Sequence, residues 1–207
     1  MNTEPENEEP DGEEPDAAWV TIETPFDAEW LRGFVGDIEC LFRINSLTEF
    51  EEMRQTGEGQ YHLKIKNLGN GKILETDLKV TADGGGVEVS YSSGLKSATR
   101  LQIEPKADGT ASLVITDYYG GTTAEEREAR IDEVDNSLVQ WGHDIHRYLK
   151  YWNRWSWIPG WRWYMRRFWQ SMKPSARRIC FMLFFITLVE FVFFLFVFLI
   201  FWLELNK

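Results

Sequence analysis

The sequence predicts an α+β domain, a curled antiparallel sheet packed on one long helix, followed by an interfacial helix and a single transmembrane helix. Three observations carry this. Between Tyr61 and Thr116, apolar and polar residues alternate in short runs separated by turn signals, the spacing of an antiparallel meander. From Ile131 to Trp152, apolar residues recur at spacings of three and four, the stripe of a helix with one buried face. From Ile179 to Leu203, 25 residues carry a single charge, Glu190.

Residues 1–16 (MNTEPENEEPDGEEPD) hold eight carboxylates and no base. Such a run buries too little apolar surface to offset its ordering entropy, so residues 1–17 are expected to form a disordered tail. Residues 19–24 (WVTIET) are a short β-like run that Pro25 and Phe26 end. Asp27 can cap a helix over Ala28–Val35, Gly36 interrupts, and a second helix covers residues 37–44. Residues 47–54 are mixed and compatible with a strand. Tyr61, Leu63 and Ile65 alternate with polar residues, and Asn70-Gly71 is a hairpin turn pair. Residues 73–80 place Leu74, Thr76, Leu78 and Val80 on one face. Asp83-Gly84-Gly85-Gly86 turns the chain into a strand with Val87, Val89 and Tyr91. Thr99, Leu101 and Ile103 mark the next strand, and Ala111, Leu113 and Ile115 the last. Thr123-Ala124-Glu125-Glu126 has the form of a capping box. It opens the long helix, whose stripe is Ile131, Val134, Leu138, Trp141, Ile145, Leu149 and Trp152. The concave face of the sheet is the partner broad enough to cover that stripe.

Residues 148–169 (YLKYWNRWSWIPGWRWYMRRFW) mix six tryptophans, three tyrosines and a phenylalanine with five basic residues. Trp and Tyr favour the membrane–water interface, and arginine pairs with phosphate headgroups. Residues 161–172 are therefore expected to form a helix lying in the interface. The membrane-interface residues expected along the whole stretch are Trp155, Trp157, Trp161, Arg162, Trp163, Arg166, Arg167 and Trp169. Pro174 then turns the chain into the span. As a helix, the 25 apolar residues run to roughly 37 Å, against a bilayer core of about 30 Å.

Charge sets the orientation. Arg162, Arg166, Arg167, Lys173, Arg177 and Arg178 precede the span, and Lys207 follows it. The basic side stays in the cytoplasm, so the body is expected to be cytosolic and tail-anchored. No secretory signal is read at the start of the chain. Cys40 and Cys180 suggest neither a disulfide framework nor a metal cluster. The net charge of −11 comes with no basic recognition element, so no nucleic-acid partner is expected. Glu190, a charge inside the apolar run, is expected to face a partner helix.

The order of elements is similar to the helix-grip fold of the START-like superfamily, also called SRPBCC or polyketide-cyclase-like. The residues behind this are Val20-Thr21-Ile22, then Pro25-Phe26-Asp27-Ala28-Glu29-Trp30-Leu31, then Asp37-Ile38-Glu39. A late hairpin, Leu101-Gln102-Ile103-Glu104-Pro105 with Asp108-Gly109-Thr110, adds to them. The similarity covers residues 18–157, leaving 158–178 as the juxtamembrane segment and 179–203 as the span. It implies an apolar cavity between the long helix and the sheet that holds a lipid, sterol or polyketide. It implies no shared catalytic set and no cofactor. Leu138, Trp141 and Ile145 on the helix, with Val89, Leu101 and Tyr118 on the sheet, are the expected ligand contacts.

Other chemistry is sparse. His143 stands about 200° around the helix from Trp141 and leaves the stripe, and neither His62 nor His146 has metal-ligand company. No nucleophile elbow, P-loop or dinucleotide fingerprint occurs. Asp117, Tyr118 and Tyr119 end the last strand at the mouth of the expected cavity. The function expected is thus a membrane-anchored module for a hydrophobic, lipid-like ligand on the cytosolic face of a bacterial inner membrane. An accessory or scaffold subunit of a membrane complex is the alternative. A cyclase- or hydratase-like enzyme would need an interior polar group of suitable pKa, and none stands out.

Overall fold

The computed structural model describes residues 17–120 and 131–206. The acidic tail and the capping-box residues 123–126 lie outside the described residues, as do the side chains of Ile131 and Val134. The order is β1 (Ala17–Glu23), α1 (Ala28–Val35), α2 (Ile38–Ile44), β2 (Thr48–Gly57), β3 (Gln60–Asn67), β4 (Ile73–Asp83), β5 (Gly86–Tyr91), β6 (Ala98–Pro105), β7 (Ala111–Tyr118), α3 (Ile131–Trp155), α4 (Trp161–Tyr164), a π-helical turn (Met165–Trp169) and α5 (Pro174–Leu205). The seven strands make one sheet in the order β1-β7-β6-β5-β4-β3-β2. Every neighbouring pair is antiparallel. β2 to β7 form a meander, and β1 returns to pair with β7, Val20 opposite Ile115.

Local chemistry explains the short elements. Asp27 caps α1 by accepting from Trp30 N at 2.8 Å, and Asp37 caps α2 by accepting from Cys40 N at 3.0 Å. The mixed stretch before Arg54 is a full edge strand, and a break in register between Phe50 and Glu52 marks a bulge. Asp83 pairs with Gly86, so the turn itself is Gly84-Gly85. At Gly86 a Cβ would fall 1.8 Å from the Leu101 carbonyl oxygen, so only glycine lets β5 approach β6 this closely.

The core lies between the concave face of the sheet and the three helices. Strand alternation puts Leu63, Leu78, Val89, Leu101, Leu113 and Ile115 inward, all buried. They meet Leu31, Leu41 and Ile44 from α1 and α2, and Leu138, Trp141, Ile145 and Leu149 from α3. α3 crosses β1 closely: a methyl on Gly142 would sit 3.0 Å from Val20 Cγ2. The Trp141 indole N–H donates to Leu41 O at 3.0 Å and ties α3 to α2. Buried Asp144 accepts from Ser46 N at 2.8 Å and holds the same helix to the loop before β2.

α5 is one helix of 32 residues, with mean hydropathy 2.9 over its apolar window. Among the described residues it is the one helix long and apolar enough to cross a membrane. Its side chains stand open from Ile179 onward. Pro174 at its first turn is buried, which seats the root of the helix on the domain.

Candidate functional site

The expected interior site is packed. Leu138, Trp141, Ile145, Leu101 and Val89 belong to one continuous core cluster, each at most 3 % exposed. Tyr118 does not join them. Its strand faces Asp117 inward and Tyr118 outward, on the side of Arg100. None of the six lines either of the two pockets described below.

At the Asp117 end of this interior lies a buried polar cluster. Asp117, its side chain wholly buried, pairs with the Lys96 ammonium and accepts from Thr99 Oγ1 at 2.5 Å. Register explains the second contact, since Thr99 and Asp117 stand opposite each other on β6 and β7. Thr99 Oγ1 lies 3.0 Å from the Tyr91 hydroxyl, and the Lys96 ammonium sits 5.9 Å from the centroid of the Trp141 ring. Burial, with Asp117 beside it, pushes the Tyr91 hydroxyl well above its ordinary value. Alternation placed Tyr91 and Thr99 on inward strand positions and Asp117 at the strand end, but nothing in the sequence marks Lys96, five residues beyond the end of β5, as the partner of Asp117.

The larger cavity is elsewhere. A half-open groove of about 480 Å³ runs between α1, the start of α2, the C-terminal half of α3 and the π turn. Four rings close a circuit along it. Trp30 to Phe34 is 5.7 Å between centroids, Phe34 to Tyr148 5.9 Å, Tyr148 to Trp152 5.9 Å, and Trp152 back to Trp30 6.4 Å. Asp27, Glu29 and Asp37 line the same groove, and Arg166 holds its guanidinium 5.3 Å over the Trp152 ring. Three carboxylates against one guanidinium leave two negative charges in excess. Gly33, inside α1, also lines the groove, and a Cβ built there meets nothing within 4 Å. Glycine inside a helix costs about 1 kcal/mol relative to alanine, and here its missing side chain keeps the groove open. A second recess of about 390 Å³, lined by Pro25, His146, Lys150, Asn153 and Arg154, lies on the outer side of α3.

The groove floor holds Cys40. Gln170 Nε2 donates to Cys40 Sγ at 2.6 Å and lies 3.1 Å from the Tyr148 hydroxyl. Burial, and secondarily the Asp37 carboxylate, push the Cys40 thiol up to about 12. Burial also raises Tyr148. At pH 8 the thiolate is therefore a minute fraction, and thiolate is the reactive form. With the exposed Cys180 replaced by alanine, we expect Cys40 to resist iodoacetamide in the folded chain at pH 8 and to react once urea unfolds it; rapid labelling of Cys40 in that native variant would contradict the packing described. Both groups are raised above their unfolded values. The stability they confer is thus complete below about pH 9 and lost as pH climbs toward 12.

The juxtamembrane residues divide into two sets. Met165 is buried in the core, and Trp161 and Trp169 pack against it, so these two tryptophans belong to the domain. Arg166 turns to the groove. Trp155 is half-buried against Trp161 at 6.2 Å. Trp157, Trp163, Arg162 and Arg167 are exposed, and Phe168 and Tyr164 join them, Phe168 5.0 Å from Trp163. The expected helix 161–172 runs instead as α4 followed directly by the π turn and ends at Trp169. Arg177 locks the joint, donating to Arg43 O at 2.8 Å, a carbonyl at the negative end of α2, and lying 4.0 Å over Trp169. Glu190 stands exposed within the apolar run of α5. Among the described residues no group of His, Cys, Asp and Glu is placed to hold a metal ion.

Comparison with solved structures identifies the architecture. The ZhuI aromatase/cyclase from Streptomyces sp. R1128 superposes with a TM-score of 0.52 at 14% identity, over 69% of this chain and 98% of that one. A START superfamily protein from Mycobacterium smegmatis gives a TM-score of 0.47 at 14% identity, over 65% of this chain and 97% of its own. The chain thus has the helix-grip α+β fold that the ZhuI aromatase/cyclase shows. No protein-family model and no curated protein matches it. At this identity the likeness speaks for the fold alone.

The groove was within partial reach of sequence reasoning. Trp30 with Phe34, and Tyr148 with Trp152, are each aromatic pairs four apart on one helix. That two such pairs meet is a fact of tertiary packing.

Proposed function

We propose that the protein is a membrane-anchored binding module, held on the cytosolic face, for an amphipathic, lipid-like ligand. The ligand occupies the groove beside the anchor rather than the packed interior between α3 and the sheet. One observation carries this reading: Arg166 and Gln170, which wall the groove, belong to the segment that leads directly into α5. The exposed Trp157, Trp163, Tyr164 and Phe168, with Arg162 and Arg167, supply the interfacial contact. The excess of basic residues before the apolar run that begins at Ile179 supports the orientation.

The test is Gly33→Leu, which fills the groove from within a helix that gains propensity by the change. Full-length protein would be extracted in mild detergent and its retained lipid counted by native mass spectrometry. We expect the wild type to hold lipid that the variant loses. Equal retention in both would end the groove reading.

A second reading, an accessory subunit of a membrane complex, is favoured by Glu190. A carboxylate near mid-bilayer costs about 2.5–3.5 kcal/mol on insertion scales and usually faces protein. Glu190→Leu should then release a partner that co-purifies with the wild type; co-purification unchanged by the substitution removes this reading.

A further inference from the structure

The C-terminal half of α3 borders two recesses of opposite charge. The groove is walled by three carboxylates and one guanidinium. The outer recess is lined by Pro25, His146, Lys150, Asn153 and Arg154, with no carboxylate among them. We infer that the outer recess is a binding site for a phosphate group, held by Lys150, Arg154 and Asn153. The site is separate from the groove and does not depend on it.

Lys150 and Arg154 stand four apart on the exposed side of α3, so their charges neighbour each other. Like charges at this spacing weaken a helix, and an anion between them removes that cost. Other bases around them are already matched: Lys106 by Glu23, Arg147 by Asp144 and Lys173 by Glu49. Among the described residues, neither Lys150 nor Arg154 pairs with a carboxylate. The local sequence offers none, since no Asp or Glu occurs from Ile145 to Val189. Arg154 lies 5.6 Å from the centroid of the Trp155 ring. A guanidinium over a ring still has its in-plane N–H donors to offer. His146 closes the Pro25 end, its Nδ1 donating to Glu23 O at 3.2 Å. The Asn153 amide adds a neutral donor. The volume, about 390 Å³, falls among small-molecule sites of roughly 300–1,000 Å³, room for a phosphate and the group esterified to it.

Two sources fit this chemistry: the headgroup of an anionic phospholipid, or a phosphate compound in solution. Arg154 is followed by Trp155, which packs on Trp161, and by the exposed Trp157. The recess thus lies within one helical turn of the interfacial residues, which favours the headgroup.

The full chain, extracted in mild detergent, would be offered equal amounts of phosphatidylglycerol and phosphatidylcholine, and the lipid retained would be read by native mass spectrometry. We expect the wild type to prefer phosphatidylglycerol, and the double variant Lys150→Gln, Arg154→Gln to lose about ten-fold of that preference. Both side chains are exposed, so the variant keeps the fold. Arg162→Gln with Arg167→Gln, outside the recess, controls for general basicity and should keep most of the preference. In a second arm, inorganic phosphate is titrated into the chain in phosphatidylcholine nanodiscs, and broadening of its phosphorus resonance is followed. Lipid preference that depends on Lys150 and Arg154 assigns the headgroup. Phosphate broadening that depends on them, without lipid preference, assigns a soluble compound. A Lys150→Gln, Arg154→Gln variant that matches the wild type in both arms overturns the inference, and so does an equal loss in the Arg162→Gln, Arg167→Gln control. Gly33→Leu fills the groove and leaves this preference unchanged, so failure of the groove reading and failure of the recess are told apart.

Discussion

Replacing Lys96 with methionine is expected to lower the unfolding free energy by about 3–5 kcal/mol, the usual result of stripping one partner from a buried ion pair. The Asp117 side chain has no exposed surface, and after the substitution Thr99 would be left as its hydrogen-bond donor. The Lys96 side chain is a quarter exposed, so the ammonium itself loses little by the pairing. The cost sits on the carboxylate. Pairing Lys96→Met with Asp117→Asn should recover much of the loss, with a coupling energy of about 1–3 kcal/mol in the double-mutant cycle. Urea titration of the full chain in detergent, followed by far-ultraviolet circular dichroism, reads both quantities. A loss under 1 kcal/mol in the single variant would mean that the cluster is open to water.

Trp141→Ala should cost a comparable amount, about 3–5 kcal/mol for truncating a large buried aromatic. Trp141 is 3 % exposed and packs 5.7 Å from the Phe42 ring. Its loss also leaves Leu41 O without the indole N–H, and an orphaned buried acceptor adds its own penalty. Trp141→Phe separates the two effects, since it keeps most of the apolar volume and removes the donor. Near-ultraviolet dichroism on the same titration reports the change. If Trp141→Ala proved near neutral and the cavity it left held a ligand, the interior rather than the groove would be the site.

The fold was legible in the sequence because its signals are local. Alternation between Tyr61 and Thr116 fixed strands and faces, Asp27 and Asp37 marked the helix starts, and the stripe from Leu138 to Trp152 marked the buried side of α3. The site was less legible, for two reasons. Tryptophan serves a bilayer surface and a domain core equally well, so composition could not part Trp163, which is exposed, from Trp169, which packs on the core. Faces on a strand alternate residue by residue, so placing Tyr118 inward instead of Asp117 reversed the assignment. The ring circuit needs α1 and α3 side by side, and no spacing within either helix says that they meet.

The joint between the domain and α5 has a positional consequence. Met165 is buried inside the core, while Arg166 and Gln170 flank the groove and Arg177 donates to the end of α2. The wall of the groove and the root of the apolar helix are therefore built from one short stretch of chain, residues 165–177.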